Sequence, residues 1–272
     1  MLNTLFHIQQ PGDDLEKVLA ICAGERHLSY AVTDPTASSL YDLKYAVFDE
    51  PVNMAWNEEE FTEFLSSFPG DIQGKRVTIC YDFPYSQVIL NDPGLDESTG
   101  SLLEILTGSG KTNKPLTRSL KKWNMTNHFS APAELVEFFD RRFPGAVINH
   151  AYSLALESIV PNDDQQLIID FTREKFNLVA LDGKKLCLAQ AVNYTSPADV
   201  LYYLLKACRH FSLSQLELKL ELSGLIDRQS LLFKELDQYF ANVSFRESTW
   251  KNNGEHPLHF FTTLNAQARC AS

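Results

Sequence analysis

One pattern occurs twice in this chain, and that repetition limits what it can fold into. Val18 to Thr33 reads VLAICAGERHLSYAVT, and Leu167 to Asp182 reads LIIDFTREKFNLVALD. Each opens on an apolar run rich in β-branched residues. Each then passes through Glu and a basic residue (Glu25-Arg26, Glu174-Lys175) and closes on a second apolar run. Strand, tight turn and strand is the expected reading of both. A third strand candidate follows in each copy, LKYAVFD in the first and KLCLAQAV in the second. Helix patterns come next. In NEEEFTEFLSSF, Phe61, Phe64, Leu65 and Phe68 fall at helical spacing. In the second copy a helix is expected from Pro197, capped by Ser196, with Val200, Tyr203, Leu204 and Ala207 on its apolar face. The strands RVTICYDF and LELKLEL follow, and DRQSLLFKELDQYF and NVSF add a helix and a strand. Each half therefore predicts β-β-β-α-β-α-β, an α/β layered fold with a mixed sheet. The stretch ESIVPNDDQQ reads as the linker, giving lobes at 1–162 and 163–272.

Charge and cysteine usage narrow the function classes. A net charge of -11 repels polyphosphate backbones and anionic membrane surfaces, so neither nucleic acid nor membrane is an expected partner. No stretch approaches the ~20 apolar residues of a membrane span, and MLNTLFHIQQPGDD lacks the basic start and apolar run of a secretory leader. The five cysteines (Cys22, Cys80, Cys187, Cys208, Cys270) are odd in number and form no C-x-x-C pair. Most sit in apolar runs such as VTICYDF, so buried thiols in a cytoplasmic protein are expected.

The repeated order resembles the actin-like (RNase H-like) superfamily of sugar kinases, heat-shock chaperones and actin. LIIDFTREKFNLVALDGKKLCLAQAV is similar to the second lobe of pilus-assembly actin-like proteins and of the type II secretion L protein's cytoplasmic domain. LELSGLIDRQSLLFKEL stands where that superfamily has its adenosine turn, and EFFDRRFPGAVINHAYSLALESIV resembles the end of its first lobe. Over Lys17 to Phe261 the chain is similar to an uncharacterised Bacteroidetes family of actin-like proteins of unknown function. The resemblance implies a duplicated actin-like fold with ATP and Mg²⁺ between glycine-bearing turns, and a final helix, from near Phe260, that returns to the first lobe. Carried over residue by residue, it implies that Asp170 would orient Mg²⁺, Thr172 would contact phosphate and Gly224 would let adenine approach the backbone. It also shows losses. Ile21 stands where the first lobe has an acidic residue, Gly24 comes late, and the second-lobe Asp-x-Gly has become Asp170-Phe171-Thr172. A non-catalytic scaffold or interaction module, with an unidentified protein partner and no cofactor, is the first reading, and a homodimer stays open. A nucleotide-dependent switch or small-molecule kinase is the alternative, and it needs a substitute acid such as Glu25. On the bland reading, Asp170 caps a turn.

Three other stretches invite function. LTGSGKTNK ends like a phosphate-binding loop, but Ile105 replaces the first glycine and Pro115 obstructs the helix that should follow. A Gly/Ser surface loop is expected there. Lys111, Lys114, Arg118, Lys121 and Lys122 form a basic run without an acid. It is either a solvated loop and edge strand or a docking patch for an acidic partner. His256 and His259 are three apart but separated by Pro257, so a surface or strand-end role is expected rather than a metal site.

Overall fold

The computed structural model describes residues 2–11, 16–52, 56–66, 76–91, 112–160, 162–251 and 255–270. Val18–Gly24, which is apolar apart from its terminal glycine, is buried at all seven positions, as expected of a strand covered on both faces. It is β2 in a six-stranded sheet. The other members are β1 (Leu2–Gln9), β3 (His27–Thr33), β4 (Leu40–Phe48), β5 (Arg76–Asp82) and, later in the chain, β9 (Val147–His150). Their order is β1-β4-β3-β2-β5-β9. The first three pairings are antiparallel and the last two parallel.

The second sheet has five strands: β10 (Gln165–Phe171), β11 (Lys175–Asp182), β12 (Lys185–Asn193), β13 (Lys219–Gly224) and β14 (Val243–Phe245). Their order, β12-β11-β10-β13-β14, reproduces β4-β3-β2-β5-β9 of the first sheet, with the same parallel and antiparallel senses. The helices fall where the β-β-β-α-β-α-β reading puts them. Helices α1 (Glu58–Ser66) and α2 (Ala133–Arg142) precede β5 and β9, and α3 (Ala151–Glu157) follows β9. In the second copy α4 (Pro197–Phe211) and α5 (Leu231–Tyr239) precede β13 and β14.

Local chemistry explains the helix starts. The Asn57 side chain accepts from the backbone of Glu59 and Glu60 at 3.0 and 3.3 Å, and Glu58, Glu59 and Glu60 face the positive end of α1. Phe61, Phe64 and Leu65 are buried below, while Phe68 lies outside the described residues. At α4, Ser196 and Asp199 form a reciprocal capping box ahead of Pro197, and the helix ends on left-handed Ser212. Val200, Leu204 and Ala207 are buried as expected, joined by Cys208, with Tyr203 half-buried against them.

Two features depart from the repeat. β1 adds an edge to the first sheet, and a three-stranded antiparallel sheet is inserted between β5 and α2. The inserted strands are β6 (Ser86–Leu90), β7 (Asn113–Leu120) and β8 (Met125–Pro132), with β8 central. The chain forms two compact units. One comprises Met1–Leu154, Thr249–Glu255 and Leu264–Ser272, and the other Ala155–Ser248 and His256–Thr263. Each has its own core, around Phe61, Tyr81 and Phe139 in the first and Phe171, Phe176 and Leu204 in the second. The expected final helix, α6 (Thr262–Arg269), packs Ala268 on Val18 and Ala20 in the first unit.

Candidate functional site

In the second unit the parallel pairing of β10 with β13 sets Asp170 beside Ser223 and Phe171 beside Gly224. The Asp170 carboxylate accepts from the Ser223 hydroxyl at 2.7 Å and, on its other oxygen, from the Thr263 hydroxyl at 3.0 Å. Arg246 lies nearby, 17% exposed, with its Nε 3.4 Å from Glu221. Burial pulls its guanidinium below the ordinary value, and the negative charges of Glu221 and Asp170 oppose that pull. This acidic pair holds a half-buried cation, which a lone guanidinium in an apolar site would not tolerate cheaply.

Thr172 is turned inward. Its N–H and its hydroxyl both donate to the Lys175 carbonyl, at 2.8 and 2.9 Å, closing the β10–β11 hairpin. Its own carbonyl accepts from the Tyr194 hydroxyl at 3.1 Å. Gly224 has φ +79°, and a Cβ there would meet the Phe171 carbonyl oxygen at 2.1 Å. That carbonyl accepts the Leu225 N–H at 2.8 Å. The strand approach alone thus requires glycine at this position.

The matching strand end in the first unit is built differently. Ile21 is fully buried opposite Ile79, so no acid stands on β2. The carboxylate at this end comes from β5 instead: Asp82, 3% exposed, opposite Gly24. His27 fills the space a Cβ on Gly24 would take, its Cε1 lying 2.2 Å from that point. The His27 Nε2 is 3.7 Å from both the Asp82 carboxylate and the Cys22 sulfur, and its ring stacks on Tyr45. The sequence signal for Asp82 was present in RVTICYDF, but only the strand register brings it beside Gly24.

The described residues of the basic run fall on two successive elements. Lys111 and the glycine loop at 106–111 lie outside the described residues. Asn113–Leu120, where a phosphate-binding loop would open a helix, is the edge strand β7. Lys114 and Arg118 share the half-buried face of β7 with Leu116, and Lys114 pairs with Asp140 at 2.9 Å. Lys121 and Lys122 are exposed on the following 3-10 turn. His259 is not at the surface as expected. It is 6% exposed, bonded to the Ile226 carbonyl at 2.7 Å and stacked 4.0 Å from Phe245. Burial lowers its pKa, and an aromatic neighbour that no spacing rule registers holds it inside. Among the described residues no group of three or more His, Cys, Asp or Glu is placed to hold a metal ion, and no helix is long and apolar enough to cross a membrane. Cys22, Cys80 and Cys208 are buried, while Cys187 and Cys270 are half-buried.

Two sheets of one strand order, each with helices in the same places, define an actin-like ATPase fold. The chain is similar to a solved Bacteroides thetaiotaomicron protein with that fold and unknown function. Identity is 17%, with a TM-score of 0.67, covering 85% of this chain and 91% of that one. It is also similar to a chain of the PilM–PilN type IV pilus biogenesis complex, at 12% identity and a TM-score of 0.65, covering 93% and 98%. No curated protein matches. The family is shown directly: residues 13–243 match the model described as "Protein of unknown function (DUF3822)", and the chain belongs to it.

Proposed function

We propose that this chain is a non-catalytic, actin-like interaction module whose strand-end turns are braced from within rather than by a nucleotide. The observation that carries this reading is the set of partners at Asp170. Both carboxylate oxygens accept hydroxyl hydrogen bonds from the chain itself, and a guanidinium already lies in its field. A Mg²⁺ ion would compete with Ser223 and Thr263 for the carboxylate oxygens and would sit in the field of the Arg246 charge. Thr172 spends its N–H on the Lys175 carbonyl, so it has none to offer a phosphate. The residues present therefore do not fit ATP and Mg²⁺. The precedent for a protein partner is the PilM–PilN type IV pilus biogenesis complex, one chain of which shares this fold. Exposed Lys121 and Lys122 are candidate contacts for an acidic segment of such a partner.

The test is a thermal-shift titration with ATP and Mg²⁺, beside ADP and a metal-free control. A ligand at 100 times its dissociation constant adds about 2.7 kcal/mol, a shift of several degrees for a protein of this size. We expect no shift at millimolar ATP. A saturable, Mg²⁺-dependent shift abolished by Asp170→Ala would overturn the proposal in favour of a nucleotide-dependent switch.

A further inference from the structure

The buried cluster in the first unit carries chemistry that the actin-like frame does not need. Parallel strands β2 and β5 are in register with Cys22 opposite Cys80, so the two side chains share one face of the sheet. The Cys80 side chain hydrogen-bonds the Cys22 thiol. Neighbouring strands lie about 4.8 Å apart, inside the ~4.4–6.8 Å Cα separation that a disulfide spans. His27 brings its Nε2 to 3.7 Å from the Cys22 sulfur, with Asp82 at the same distance behind it. Cys22 keeps 4% of its surface accessible and Cys80 none, so a small solute reaches Cys22 first.

The thiols of the chain are not alike. Hydrogen bonding from Cys80, and then from His27, holds Cys22 down to about 7 against the opposing effect of burial. Burial pushes Cys208 up to about 11 and also raises Cys187. At neutral pH Cys22 is therefore a better nucleophile than the half-buried Cys187, whose thiol stays protonated.

We propose that Cys22 and Cys80 are a redox pair, which hydrogen peroxide converts to a cross-strand disulfide with Cys22 as the attacking sulfur, Cys80 as the resolving sulfur and His27 as the proton acceptor. In the first step the Cys22 proton passes to His27 Nε2, where Asp82 stabilises the imidazolium. The sulfur attacks one peroxide oxygen, an S–O bond forms, the O–O bond breaks, and hydroxide leaves to take up a proton as water. In the second step the Cys80 sulfur attacks the sulfenic sulfur of Cys22. The S–S bond forms, the S–O bond breaks, and the departing hydroxide leaves as water with the Cys80 proton. Two thiols are oxidised and one peroxide is reduced to two waters. The disulfide is open to exchange with small thiols, which makes the oxidation reversible.

The experiment treats the purified full chain with one equivalent of hydrogen peroxide at pH 7, alkylates the remaining thiols after denaturation, and maps the products by mass spectrometry. The expected first product is a Cys22–Cys80 linked peptide that dithiothreitol reverses. In Cys80→Ser the sulfenic acid should persist at Cys22 and be trapped by dimedone. His27→Gln, checked for native circular dichroism, should slow its formation severalfold or more, because the proton acceptor is lost while the Cys80 hydrogen bond remains. If Cys187 and Cys270 react first while Cys22 and Cys80 stay fully alkylatable, the proposal is overturned. That measurement uses the unsubstituted chain and does not depend on either variant folding.

Discussion

Gly224→Ala isolates the cost of one close backbone approach. A Cβ at Gly224 would lie 2.1 Å from the Phe171 carbonyl oxygen and 2.6 Å from its nitrogen, with φ at +79°. These are main-chain atoms in the β10–β13 register, so no side-chain rotation relieves the overlap. Gly183 supplies the comparison: its φ is +58°, but the nearest atoms to a Cβ there are 3.7 Å away. Both substitutions place an L-residue in the left-handed region at about 1–2 kcal/mol, and both remove the same backbone freedom from the unfolded chain. Only Gly224→Ala also pushes β13 off β10. That loses the bond from Leu225 to the Phe171 carbonyl and leaves a buried acceptor unpaired, at about 1–3 kcal/mol. The expected totals are about 1 kcal/mol for Gly183→Ala and about 3 kcal/mol or more for Gly224→Ala. With urea slopes of ~1–3 kcal/mol per molar, Gly224→Ala should lower the midpoint by about 1 M or more, roughly three times the shift of Gly183→Ala. Far-ultraviolet circular dichroism follows both. Equal midpoint shifts would refute the reasoning, since the dihedral alone would then account for the glycine.

Three further outcomes follow from local features of the fold. Ser196→Ala removes the cap of α4 and should cost about 1 kcal/mol in denaturant unfolding. Hydrogen bonds from Thr195, then Ser196, hold the Asp199 carboxyl at about 2 against an ordinary 3.8. Because the folded value is the lower one, this stabilisation is complete above about pH 4 and is lost as pH falls through about 2. Asp199→Asn should therefore flatten the acid limb of stability between those values, and an unchanged acid limb would count against the cap. Phe61→Ala empties a site 1% exposed and ringed by Phe48, Trp56 and Phe138, and should cost about 3–5 kcal/mol in the same unfolding assay.

The framework of the fold was legible because it rests on local patterns. Alternating and continuous apolar runs gave both hairpins, and Ser196-Pro197 announced the start of α4. β1 was missed, since LNTLFHIQ is mostly exposed and lacks a clean alternation. The inserted sheet was only half legible. Pro115 and the polar residues of NKPLTRSL fit an edge strand, one of the two readings open there, but nothing local reveals that it pairs with β8. The candidate site was harder to see because its contacts are not local. Asp170 and Gly224 stand out in sequence, yet the two hydroxyls on Asp170 belong to Ser223 and Thr263, 53 and 93 residues away. Cys22 and Cys80 each read as an ordinary buried thiol. Only the parallel register, set by whole strands rather than by either residue, makes them neighbours.

The tail of the chain alternates between the two units: 249–255 belongs to the first, 256–263 to the second and 264–272 to the first again. A polypeptide emerging from the ribosome would therefore complete the second unit before the first, although the first begins earlier. Until α6 is synthesised, the face of β2 carrying Val18 and Ala20 lacks the Ala268 contact, and Thr78 lacks its bond to the Gln267 carbonyl. During that interval the amino-terminal sheet is an unfinished structure, and α6 acts as its closing latch.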